Sequence, residues 1–474
     1  MFMKTTKKSI VIVLVLCFAF VSQAAVFADN TEARPTASAV MVNGEDTAFD
    51  AYNIAGNNYF KLRDIAYVLS GTEKQFEIAY DAEKNAVMLT SGETYTPVGD
   101  EMAAGGDGGA AAPATAEIYL DGEKIDLTAY NIGGYNYFKL RDLGQAINFG
   151  VDWDSSKNMI VIDTSRDYWS FETREIIVNP GSEFELPGIL TVPTGGEGQF
   201  PVVIIVHGSG PGNMDGEMGA VKVYRDLAEQ LALLGAASIR YDKRTLTHTA
   251  EFIANYNLTV KEETVDDVIF AAELAAELDI IDENQIYVAG HSLGGYLIPR
   301  IYAADTENII AGYISLAGNA RSITELLGEQ IDYILSLADA PEPLKALERL
   351  QVQLVIDAVE ALTEDDRGSS AAILGAYPSY WLDLAGYNPA EEIKEVGKPL
   401  LFLQGGHDYQ VTEVDFDMYK EALEDRDDAH FILYPNLTHA FTFTEQFSTP
   451  EDYMTESVVD EQVARDIVDF IRNN

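Results

Sequence analysis

The sequence predicts an α/β protein with a mostly parallel sheet and a helical cap insertion, preceded by a small repeated α+β domain. Three observations predict it. From about Tyr168 onward, short and nearly continuous apolar runs alternate with amphipathic helical stretches, the pattern of parallel strands covered on both faces. One such run leads directly into Gly290-His291-Ser292-Leu293-Gly294, a serine between glycines with an apolar helical stretch behind it. Upstream, a block beginning Tyr52-Asn53-Ile54 and ending Lys61-Leu62-Arg63-Asp64 returns as Tyr130-Asn131-Ile132 to Lys139-Leu140-Arg141-Asp142.

Length and charge bound these elements. A chain of 474 residues suggests two or three domains, and a hydrophobic fraction of 47% is enough for sizeable cores. The net charge of −46 argues against nucleic acid or an anionic membrane, whose phosphates need clustered Lys and Arg. A solubilising, self-repelling surface is expected, with calcium or a basic cell-wall polymer as alternative readings. Residues 1–28 read as a secretory signal peptide: Lys4, Lys7 and Lys8 precede an apolar run from Ile10 to Val21, and small residues lead to Ala28. That run is short for a membrane span. It contains the single cysteine, Cys17, and the bulky Leu16 before it argues against lipidation; after cleavage no thiol or disulfide chemistry remains. The chain is expected to be secreted or surface-associated, with no transmembrane segment after cleavage.

The repeat comes next in the chain. Each copy opens with a hairpin signal, Val42-Asn43-Gly44 or Leu120-Asp121-Gly122, and continues through a helix-like stretch to two further strands around a turn. The Gly/Ala-rich segment Ala103–Pro113 between them reads as a flexible loop or linker. On the doubled Tyr-Phe-Lys-Leu-Arg-Asp words, residues 38–165 resemble the stalk-like domain named after the N-terminal region of copper amine oxidases. The resemblance implies a spacer or adhesion role, with cell wall as the expected partner. It does not imply copper, because beyond the leader there is no cysteine and no histidine before His207.

In the C-terminal region, strands are expected at Pro201–Val206, Ala237–Tyr241, Gln285–Ala289, Ala311–Leu316, Leu400–Leu403 and Phe431–Tyr434, with helices such as Val221–Leu234 and Val260–Leu278 between them. Ser292 follows one of these strands and precedes a helix from Gly295 to Ala303, the strand–turn–helix setting that a nucleophilic serine requires. The turn is so tight that Gly290 and Gly294 must lack side chains. Serine needs a base, and the base an orienting acid. Of the six histidines, His439 has the right setting, a loop after a late strand; His207 and His291 belong to other loops, and His248, His407 and His430 fit less well. Asp408, behind Gly405-Gly406, is the candidate acid, with Asp415 and Asp417 as rivals on the following helix. The oxyanion needs two amides: Leu293, directly after the serine, and one from the loop His207–Gly212, where Ser209 is favoured and Gly208 stands close behind.

The words His207–Pro211, Tyr241–Arg244, Gly290–Gly295, Tyr380–Leu384 and Leu403–Val411 resemble those of secreted bacterial α/β-hydrolase-fold esterases. The resemblance spans residues 168–474 and implies a catalytic triad of Ser292, Asp408 and His439, serving a carboxylesterase that cleaves short to medium acyl esters. No metal or organic cofactor is implied. The partner would be a small-molecule ester. A peptidase or acyl-thioesterase on the same scaffold is the alternative, or a surface-binding protein whose hydrolase domain is incidental. Residues 318–398 are too long for a connecting loop and read as a helical cap, with Leu347, Leu350, Leu354 and Ala358 at helical spacing. Tyr380 and Trp381, with Tyr377, are the candidate lining of a substrate pocket.

Overall fold

The computed structural model describes residues 31–474 apart from 104–105, 107, 155–158, 166–167, 169 and 195–197. The expected leader, residues 1–28, lies outside the described residues.

The N-terminal region is rich in sheet, and its two copies interlock. The hairpins Ala51–Ile54/Asn57–Lys61 and Ala129–Ile132/Tyr135–Lys139 meet edge to edge, with Phe60 directly opposite Phe138, the same position in the other copy. Strands Thr31–Pro35 and Gly109–Pro113 close the six into a barrel. Inside it Tyr52 meets Tyr137, and Tyr59 meets Tyr130, edge to face at 5.1 and 5.2 Å. These large rings explain why Gly109–Pro113, the end of the expected loop, is a strand here: only a small residue such as Ala111, on the strand paired with that of Ala33, fits beside them. Outside the barrel lie helices Leu62–Leu69 and Leu140–Ile147 and two four-stranded sheets. Each sheet mixes copies. Met159–Asp163 of the second pairs with Ala39–Val42 of the first, and Ala86–Ser91 of the first with Glu117–Leu120 of the second. Both hairpin signals hold: Asn43-Gly44 and Asp121-Gly122 have the positive φ angles of a two-residue turn.

The C-terminal region is built on one eight-stranded sheet: β1 (Ser170–Val178), β2 (Leu186–Thr194), β3 (Phe200–Val206), β4 (Ala237–Tyr241), β5 (Ile281–His291), β6 (Gly312–Leu316), β7 (Leu400–Gly405) and β8 (Ala429–Tyr434). The spatial order is β1-β2-β4-β3-β5-β6-β7-β8, and every pairing from β4 onward is parallel; only β2 runs against its neighbours. β4, β6 and β7 are buried throughout, and β5 from Ile286 onward, because helices cover both faces. The expected helix Val221–Leu234 is shorter, α1 (Val223–Ala232). The stretch from Val260 to Leu278 divides into a π-type turn and α2 (Asp266–Ala276). Behind Ser292, helical turns Leu293–Tyr296 and Ile298–Ala304 replace the single expected helix.

Between β6 and β7 the insertion is helical, chiefly α3 (Ile323–Leu337), α4 (Glu342–Glu360) and α5 (Pro378–Leu384). Leu347, Leu350 and Leu354 are 48–58% exposed, and Ala358 is exposed beside them. The face of α4 turned inward carries Val352, Ile356 and Val359, with Ile356 reaching the Gly328 surface of α3. Two helical faces of similar spacing compete in this segment, and the β-branched one is buried. After β7 come α6 (Glu413–Ala422) and, at the C-terminus, α7 (Glu461–Asn473). Glu461 joins the two regions: it pairs with Lys139 at 3.0 Å and Arg141 at 2.7 Å of the second repeat copy, and with Arg465 at 3.0 Å. These cations hold its carboxyl down at about 2 despite burial.

Candidate active site

Ser292 stands where β5 ends, half-buried, with φ +52° and ψ −115°, a strained conformation for a residue with a side chain. The surrounding contacts enforce it. A Cβ on Gly290 would fall 2.3 Å from the Gly294 backbone, and one on Gly294 would fall 2.9 Å from the Val206 carbonyl. The Ser292 amide donates to Leu316 O on β6 at 2.9 Å, fixing the turn against the sheet.

The loops after β7 and β8 bring the next two groups together. Asp408, 1% exposed, accepts His439 Nδ1–H on Oδ2 at 2.6 Å and the amides of Gln410 and Val411 on Oδ1 at 2.7 and 3.0 Å. His439 is 2% exposed. Its carbonyl is bound at 3.0 Å by Nε2 of His291, the neighbour of Ser292, and the two imidazole rings lie 4.7 Å apart. The residue before the serine thus touches the histidine; among the described hydrogen bonds, none joins the Ser292 hydroxyl to the His439 ring.

The rival residues are otherwise engaged. Asp415 is fully buried and held by Arg321 at 2.6 Å, while Asp417 is exposed on α6. His407 gives Nδ1 to Thr444 O, and His248 gives Nε2 to Glu185 O. His430 is exposed. His207 is buried against Tyr241 O and the rings of Tyr224 and Tyr241, and burial lowers its pKa to about 4.

Sequence reasoning missed a buried network centred on Tyr224. Its hydroxyl accepts the Gly208 amide at 3.0 Å and lies 3.2 Å from His291 Nδ1. With His291 donating from Nε2 to His439 O, Nδ1 must accept, so Tyr224 donates to it and the proton directions run consistently around the network. Burial and the neighbouring His439 lower the His291 pKa to about 3, which keeps that ring neutral. The network also separates the two oxyanion candidates. The Gly208 amide is spent on Tyr224, whereas the exposed Ser209 amide has no acceptor among the described residues. Leu293, first in its helical turn, has no intrahelical acceptor either.

Lys243 is the other residue missed, although it lies within a motif word. It is 2% exposed, pairs with Glu263 at 2.8 Å, and donates to Gly208 O at 2.8 Å, so it holds the β3 loop from behind. Tyr380, on α5, lies beside Glu263, whose charge adds to burial in raising the phenol's pKa well above its ordinary value. Trp381 faces its own subdomain and donates Nε1–H to Ile373 O at 2.9 Å. On the opposite side of the site, Tyr333 of α3 stacks on Tyr409, and Gln330 binds Gln410 O, so the insertion touches the Asp408 loop too. Among the described residues, no helix is long and apolar enough to cross a membrane, and no group of three or more His, Cys, Asp or Glu side chains could hold a metal ion.

The sequence profile of the Alpha/beta hydrolase family matches residues 203–454, from β3 through the His439 loop. The chain belongs to this family. Esterase EstD of Thermotoga maritima is 34% identical to the hydrolase over 298 residues, covering 63% of this chain and 67% of that protein. Among solved structures, Est1E from Butyrivibrio proteoclasticus covers 63% of this chain and 99% of its own at 17% identity, with a TM-score of 0.41. The Pyrococcus furiosus esterase Pf2001 covers 64% of the hydrolase and 91% of its own chain at 15% identity, with the same TM-score.

Proposed function

We propose that this esterase-type α/β hydrolase is a secreted serine carboxylesterase acting on short to medium acyl esters. Ser292 attacks the ester carbonyl while His439 takes its proton, and Asp408 keeps the imidazole in the required tautomer. The amides of Leu293 and Ser209 stabilise the tetrahedral oxyanion. His439 then returns the proton to the departing alcohol, leaving an acyl group on Ser292. In the second half His439 deprotonates a water, which attacks the acyl carbonyl, and the proton goes back to Ser292 as the acid leaves. The chemistry calls for no metal or organic cofactor.

The observation carrying this reading is the buried Asp408–His439 hydrogen bond beside a serine held at a strained strand end. Tyr380 is read as a substrate contact because it stands on the insertion next to the Lys243–Glu263 pair; Trp381, turned into its own subdomain, would line that wall from behind, its ring 5.6 Å from that of Tyr380. The repeated region is read as a stalk that spaces or attaches the enzyme at the cell surface, and residues 1–28 as the export signal. Kinetics on p-nitrophenyl esters of increasing chain length, wild type beside Ser292→Ala, test the catalytic assignment. The variant is expected to lose activity by roughly three orders of magnitude or more. Turnover of aminoacyl anilides or acyl thioesters, with the esters inert, would instead favour the peptidase or thioesterase alternative.

A further inference from the structure

The repeated region has two equivalent grooves, and one of them is partly filled, with about 220 Å³ left open beside the helix that enters it. In the filled groove, Lys139 and Arg141 of the second copy and the Gly56 turn of the first receive the start of α7. Glu461 lies 2.7 Å from Arg141 Nε and 3.0 Å from Lys139 Nζ, and a Cβ on Gly56 would meet Asp460 at 3.3 Å. Exchanging the copies converts this lining into that of a second groove of about 260 Å³, in which Lys61, Arg63 and the Gly134 turn stand for Lys139, Arg141 and Gly56. Here nothing lies within 4 Å of a Cβ placed on Gly134.

The charges of the second groove are not all satisfied. Lys61 turns inward to Asp64 at 3.6 Å and to the Asp100 carbonyl, beneath the Tyr135 ring at 4.5 Å. Arg63, the counterpart of Arg141, is exposed and has no ion-pair partner among the described residues, in a chain with 77 acidic residues against 31 basic ones. The groove therefore offers one free guanidinium, with the Tyr80 and Tyr135 rings elsewhere in its lining.

We propose that this open groove docks a different protein, through a helix whose first turn carries adjacent acidic residues as α7 does. The filled groove shows which element this shape and charge accept. Acidic side chains favour helix N-termini, and guanidinium is the cation best matched to a carboxylate. A second copy of this chain is not the occupant, because the start of its α7 is already held in its own filled groove.

The test uses a fluorescein-labelled synthetic peptide of residues 456–474, the segment that fills the sister groove, titrated into the full chain and followed by anisotropy. Saturable one-to-one binding is expected. It should weaken at least tenfold in Arg63→Glu protein, whose circular dichroism and ester hydrolysis stay unchanged, and equally when Asp460→Lys and Glu461→Lys are placed in the peptide. No binding to the wild type, or equal binding to Arg63→Glu, would overturn the proposal; equal binding would mean that the peptide had exchanged into the filled groove. Self-association of the full chain that disappears in Arg63→Glu would also overturn it, since the occupant would then be a second copy.

Discussion

Lys243 shows how a side chain that touches no substrate can set the geometry of a reaction. Its ammonium is buried between Glu263 and the Gly208 carbonyl, so it fixes the loop that carries the Ser209 amide. A displacement of one ångström in such a donor is enough to cost rate. Lys243→Met is expected to lower kcat at least about tenfold with KM little changed, because the donor it positions acts mainly on the transition state; steady-state kinetics on one p-nitrophenyl ester check this. An equal effect on KM would mean that Lys243 serves binding instead. The candidate site residues could be named from the sequence because each proposed role demands a residue type at a strand end: serine between glycines, aspartate after Gly405-Gly406, histidine in the last loop. Tyr224 was not legible. Its hydroxyl acquires meaning only when α1 is folded against both the β3 loop and His291, and a tyrosine in an amphipathic helix reads as core.

Elements were legible where both faces are buried. β4 was placed residue for residue, and β3, β6 and β7 to within two residues at either end, because their apolar runs are continuous; β8, an edge strand with one buried residue, was placed as closely from the short run Phe431–Tyr434. β1 and β2 went unseen: β1 lies at the sheet edge with most of its side chains exposed, so its sequence carries no such run. In the insertion, helix was legible but its orientation was not, as the outward leucines of α4 show. What anchors the insertion is polar. Arg321, just before α3, pairs with Asp415 on α6, and Asp415 also accepts the amides of Ala320 and Arg321 at 2.9 Å. Asp415→Ala would strand the guanidinium and two amides, a cost of about 3–5 kcal/mol. Urea unfolding should register that loss while kcat of the folded enzyme is unchanged; a collapse of kcat would make Asp415 the catalytic acid after all.

At the scale of the molecule, the duplicated words announced two copies but not their interlocking. Short-range signals such as Asn43-Gly44 fix each hairpin, whereas exchange of strands between copies depends on contacts far apart in sequence that leave no local mark. Because Phe60 and Phe138 face each other at the centre, the two copies should lose stability together. Phe60→Ala is expected to cost about 3–5 kcal/mol. Hydrogen exchange should then show the protection of Leu62–Leu69 and Leu140–Ile147 falling by the same factor, since one cooperative unit opens as a whole. A fall confined to the first helix would mean independent copies.

The interlocking also constrains how such a region can lengthen. A third copy inserted into the chain would leave one half-sheet unmated and its strand edge open to aggregation. Growth must therefore proceed by couples, and such a region would change length in whole steps rather than by degrees.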